Sequence, residues 1–121
     1  MIRAFFLLFI ISACQSYNSH TGDKAKFAEL ELEDNANFRA AYKVIQSRCI
    51  NCHGGTHNAW ATYVNSQLWV DKGLIIRGDA SGSKLIERTI NSGQTNSNMP
   101  PGGSPLPNDE YQVLLDWING L

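Results

Sequence analysis

Two cysteines and a histidine stand together at Cys49-Ile50-Asn51-Cys52-His53, a C-x-x-C-H pattern. Cysteines at this spacing serve three chemistries: zinc binding, thiol–disulfide exchange and covalent haem attachment. A structural zinc site needs four ligands, yet the chain has no second cysteine pair, and His53 and His57 are crowded against the first. A thiol redox pair is expected in a strand–helix setting, whereas the pattern leading into Cys49 is helical. A histidine directly after the second cysteine favours haem: both sulfurs can reach one porphyrin edge, and the imidazole then falls beneath the iron. A second iron ligand is available at Asn98-Met99-Pro100-Pro101-Gly102-Gly103, where Met99 is the only methionine besides Met1. Its thioether is a soft donor that raises the iron potential relative to a second histidine. The two prolines keep it out of a helix interior. Without the upstream motif, Met99 would read as a core methionine beside a turn.

These residues need elements to place them. Asn37 can cap a helix starting at Phe38. Phe38, Ala41, Tyr42 and Ile45 then form one apolar face that runs toward the cysteines. Gly54-Gly55 turns the chain away. Trp60, Tyr63, Val64 and Leu68 have helical spacing, and Trp69 with Leu74-Ile75-Ile76 can line an apolar pocket. Trp69 and Arg77 are donors able to bind a haem propionate; the alternatives are packing for Trp69 and a solvated charge for Arg77. His57 reads as a surface histidine. Gly78-Asp79-Ala80-Ser81-Gly82 is a loop with Ser81 as a cap, and Ser83 to Asn91 is predicted helical, ended by Gly93. Pro107-Asn108-Asp109-Glu110 starts a last helix with a cap and first-turn acids. The stripe Val113, Leu114, Trp117, Ile118 and Leu121 would pack Trp117 on the Phe38 helix.

The N-terminus defines a compartment. Met1-Ile2-Arg3 is positive and Ala4 to Ile11 is apolar without a break. That run is too short to span a bilayer and matches a secretory signal peptide. Ile11-Ser12-Ala13-Cys14 reads as a lipobox, with residues 1–13 removed and Cys14 lipidated, against an ordinary signal peptide in which Cys14 is incidental. Lipidation with more than one chain gives a stable anchor. Residues 14–35 read as a polar tether, with His20 as solvated filler and a weakly helical stretch over 24–34. The domain proper is 36–121. With 121 residues in all, the chain holds one domain, small enough that a cofactor would help staple it. A net charge of −1 gives no basic footprint for nucleic acid. All three cysteines have a covalent fate, two at haem and one at lipid.

Residues 36–121 resemble the class I cytochrome c family. The resemblance is carried by Cys49-Ile50-Asn51-Cys52-His53, by Met99-Pro100-Pro101, and by Ala41, Ile45 and Trp117 where the family crosses its first and last helices. It implies an all-α cytochrome c fold of about three to five helices wrapped around one covalent haem c. Cys49 and Cys52 would carry the haem thioethers, and His53 and Met99 would be the proximal and distal iron ligands. In the family a proline shortly after the motif helps present the carbonyl that orients the proximal histidine. No proline lies between His53 and Pro100, which leaves a backbone carbonyl within 54–78 as the expected acceptor. With both axial positions filled, the expected activity is electron transfer rather than catalysis, by a carrier lipid-anchored to the cell envelope and facing the periplasm. Its partners would be redox proteins, and no signal for a homo-oligomer is evident. The alternatives are a haem subunit of a larger oxidoreductase, or a peroxide- or gas-reactive haem protein if Met99 does not ligate.

Overall fold

Asparagine and apolar spacing together set the first helix. A computed structural model describes residues 32–55 and 58–121. Within them α1 (Ala36–Arg48) begins two residues before the predicted start, because Asn35 rather than Asn37 is the cap. The Asn35 Oδ1 accepts from the amides of Asn37 and Phe38, at 2.9 and 3.1 Å. After α1 come α2 (Ile50–His53), a 3-10 turn at Trp60–Thr62, α3 (Ser66–Asp71), α4 (Lys84–Glu87), a 3-10 turn at Ile90–Ser92, and α5 (Asn108–Asn119). No strand occurs among the described residues, only two isolated bridges, Ile76 to Asp79 and Thr89 to Met99. The signal peptide, Cys14, His20, the 24–31 part of the weak helix and His57 lie outside the described residues. No helix among the described residues is long and apolar enough to cross a membrane.

The frame of the domain is the crossing of α1 and α5. Phe38, Ala41, Tyr42 and Ile45 of α1 are buried against Leu114, Trp117 and Ile118 of α5. Phe38 and Trp117 meet with ring centroids 5.5 Å apart. Fully burying one such side chain contributes about 1.5–3 kcal/mol, and an aromatic pair adds about 0.5–1.5 kcal/mol. The Trp117 indole N–H donates to the Ser66 hydroxyl at 3.0 Å, which ties α3 to the crossing. At the open end, Arg48 closes α1 and grips Glu110 of α5 through two 2.7 Å hydrogen bonds. These bonds hold the Glu110 carboxyl below its ordinary range. The start of α5 has acids in its first turn as expected, but Pro107 precedes it and no side chain caps it.

From this crossing a row of aromatic rings leads to His53. Trp117 meets Trp69 edge-on at 5.8 Å, Trp69 meets Trp60 at 5.2 Å, and Trp60 stacks on the His53 imidazole at 4.1 Å. Two predicted helices are interrupted where this arrangement requires it. The Trp60–Leu68 segment breaks at Tyr63, whose carbonyl accepts the Trp69 indole N–H at 3.0 Å. Asn65 then caps α3 by accepting from the Leu68 amide. The predicted 83–91 helix splits because Arg88–Ile90 pair their backbone with Asn98 and Met99 instead of continuing the helix. Gly93, expected to end that helix, instead ends the second 3-10 turn at φ +66°; a side chain there would be strained. Ser81 does not cap α4. Ser83 precedes it, buried, accepting from the Ile76 amide at 2.8 Å and donating to the Asp79 carbonyl at 2.6 Å.

Candidate functional site

The C-terminal end of α1 and the short α2 carry Cys49, Cys52 and His53 into one wall of a cavity of about 450 Å³. Met99 lines the same cavity, brought there from a distant part of the chain. Cofactor pockets commonly run about 300–1,000 Å³. The Met99 loop is pinned at both ends to the Arg88–Ser92 stretch. The Met99 amide donates to the Arg88 carbonyl at 2.9 Å, and its carbonyl accepts from Ile90 at 2.8 Å. At the far end, the Asn91 amide both accepts from Leu106 N–H at 2.7 Å and donates to Leu106 C=O at 2.8 Å. Within the loop, Gly102 takes φ +63°. Six backbone groups are thus satisfied around a segment that two prolines prevent from forming a helix.

The two thiols are unalike. Cys52 is exposed, whereas Cys49 is partly buried. Burial, with smaller contributions from Cys52 and Glu110, pushes the Cys49 thiol up to about 11. A reactive redox cysteine needs the opposite shift, toward thiolate at neutral pH. Among the described residues no three His, Cys, Asp or Glu side chains gather as a cation site, so zinc lacks a ligand set there.

His53 is held on its face and at its edge. Trp60 stacks on the ring at an interplanar angle of 13°. The Asn58 side-chain amide lies 2.9 Å from Nδ1. Sequence reasoning places a backbone carbonyl within 54–78 at this nitrogen; the Asn58 side-chain amide is among the groups that meet the ring.

Residues 36–118 match the family described as cytochrome c oxidase, cbb3-type, subunit III. The chain belongs to this family. No curated protein and no solved structure matches it. The domain is therefore a c-type cytochrome of all-α fold that binds haem c covalently, and its chemistry is haem-based electron transfer.

The cavity of this cytochrome domain suits that cofactor. Leu74, Leu85 and Leu106 supply apolar wall, and Arg48, Lys72, Lys84 and Arg88 contribute four cations. No carboxylate lines it among the described residues. Trp60 also lines it, and its indole N–H is the one buried side-chain polar atom among the described residues with no hydrogen-bond partner. A buried donor left unpaired costs about 1–3 kcal/mol, and a carboxylate entering the cavity would remove that cost. The two residues expected at the propionates are elsewhere. Trp69 is fully buried with its N–H committed to Tyr63, and Arg77 is exposed beside Gln67 with its guanidinium on the Gln67 amide oxygen. Neither lines the cavity. Trp60 and Asn58 were the missed residues. A polar side chain soon after the Gly54-Gly55 turn was the available signal for Asn58. Nothing local separates Trp60 from Trp69.

Proposed function

We propose that this chain is a lipid-anchored monohaem cytochrome c of the cell envelope, passing single electrons between redox proteins. Cys49 and Cys52 would form the thioethers, His53 and Met99 would be the axial iron ligands, and Cys14 would carry the lipid. The haem supplies a one-electron change at iron; the chain supplies its enclosure. Apolar walls would limit water at the metal, and the pinned Met99 loop would limit movement of the thioether when the iron changes charge. Trp60, Lys72, Lys84 and Arg88 would receive the negative carboxylates. The observation that carries this reading is Met99 sharing one cavity with Cys49, Cys52 and His53. A six-coordinate iron has no open position, which suits transfer of electrons rather than of substrate atoms. The polar stretch 14–35 would join the anchor to the domain.

The test is a visible redox titration of the exported, haem-loaded protein and of Met99→Ala. The proposal requires a Met-to-ferric-iron charge-transfer band in the parent, with loss of that band and a lower midpoint in the variant. An unchanged spectrum and midpoint would remove Met99 as ligand. The family description favours a second reading, a haem subunit of a larger oxidase. Co-purification with fixed partners from detergent-solubilised membranes supports the subunit; release as a single polypeptide supports the carrier.

A further inference from the structure

The geometry points to Asn58 as the residue that positions His53 for iron, by accepting the Nδ1 proton on its side-chain oxygen. This rests on His53 being the iron ligand. An imidazole can bind iron through Nε2 only if the ring proton sits on Nδ1, and that N–H then needs an acceptor. The Asn58 amide stands within reach, with its nitrogen 2.9 Å from Nδ1. In that orientation the amide donates, Nδ1 accepts, and the ring proton belongs on Nε2, where it blocks the metal. A half-turn of the amide exchanges its oxygen and nitrogen with almost no change of shape. The oxygen then accepts from Nδ1–H, and the Nε2 lone pair is released.

Amide orientation and histidine tautomer are therefore linked. Trp60 fixes the plane of the ring by stacking at 4.1 Å, and Asn58 fixes its rotation within that plane. Asn58 lines the same cavity and is half-buried, so water competes only partly for this bond. The acceptor also sets how much electron density His53 gives to iron. A stronger acceptor makes the ring more anionic and favours ferric iron; loss of the acceptor favours ferrous iron.

The test uses the full-length, haem-loaded protein and two near-isosteric variants, Asn58→Asp and Asn58→Leu. Outer-shell partners of metal-bound histidines commonly change affinity or activity 10–100-fold. Asn58→Asp is expected to shift the ferric-to-ferrous ratio at fixed ambient potential about tenfold toward ferric, a midpoint about 59 mV lower for a one-electron couple. Asn58→Leu should shift it the other way. In a Met99→Ala background, resonance Raman of the ferrous protein should show the iron–histidine stretch rising with Asp and falling with Leu. A merely structural Asn58 would move both variants in the same direction, or would leave the stretch unchanged; either result overturns the proposal. If the parent shows no histidine-ligated haem, the reading of His53 fails first. If the parent is normal and the variants do not diverge, only the role of Asn58 fails.

Discussion

Trp60→Phe should have different consequences with and without haem. In the haem-free polypeptide the Trp60 indole N–H is buried and unpaired, a burden of about 1–3 kcal/mol that phenylalanine removes. The smaller ring gives up roughly 40 Å² of apolar contact, or about 1 kcal/mol at 25 cal/mol per Å². The first effect equals or exceeds the second, leaving the haem-free protein as stable as the parent or more stable by up to about 2 kcal/mol. In the haem-loaded protein the proposed site would give the N–H a carboxylate partner, and a hydrogen bond to a charged group contributes about 1.5–3 kcal/mol. Loss of that bond adds to loss of ring contact, for a total of about 2.5–4 kcal/mol. For a domain of this size each kcal/mol moves Tm by about 4–8 °C, so the loaded variant should melt at least about 10 °C lower. Thermal melts of both forms, followed by far-UV circular dichroism, measure the contrast. Trp60→His keeps an N–H on a smaller ring and should recover part of the loss. Equal destabilisation of both forms would show that Trp60 acts through packing alone, and the assignment to a carboxylate would fall.

The raised Cys49 thiol makes the haem-free protein sensitive to alkali. The folded state holds the proton up to about 11 against an ordinary value of 9.0, so stability is intact below about pH 9 and declines toward pH 11, by up to roughly 3 kcal/mol. Urea denaturation at pH 8 and 11 should show this loss in the parent and not in Cys49→Ser. Ser66→Ala strips the buried Trp117 N–H of its acceptor and should cost about 1–3 kcal/mol; in Trp117→Phe the same change should cost measurably less, a coupling read from a double-mutant cycle. Asn91→Ala frees both polar groups of Leu106. It should therefore speed displacement of the sixth iron ligand by added imidazole, measured by stopped flow, while leaving the haem covalently bound.

What could be read from the sequence was mostly local. Cys49, Cys52 and His53 are adjacent, so one helical turn suffices to bring them to the cavity. The Pro100-Pro101 pair forces Met99 into a loop whatever its neighbours do. The crossing helices were legible because Phe38, Ala41, Tyr42 and Ile45 repeat at the helical period, as do Leu114, Trp117 and Ile118. Periodicity could not distinguish Trp60 from Trp69. The chain break at Tyr63 turns one indole into the core and leaves the other at the cavity, and the Tyr63 carbonyl that takes the Trp69 N–H is a product of that break. The predicted 83–91 helix is interrupted for a related reason. Its apolar residues permit a helix, but the backbone of Arg88–Ile90 is claimed by Asn98 and Met99 from farther along the chain. Arg48, Lys72, Lys84 and Arg88 are scattered in sequence, and a net charge of −1 gave no sign that they meet at one cavity. Such concentration of charge belongs to the tertiary structure, and so does the approach of Asn58 to His53.

Carbon monoxide binding tests most directly whether the iron carries electrons or substrates. The haem-loaded ferrous protein is mixed with carbon monoxide at neutral pH, and its visible spectrum is followed. With His53 and Met99 both bound, the spectrum should stay unchanged in the parent, while Met99→Ala should bind the gas promptly and completely. Rapid, stoichiometric binding by the parent would mean that the iron has an open position and would contradict the account of this chain as an electron carrier.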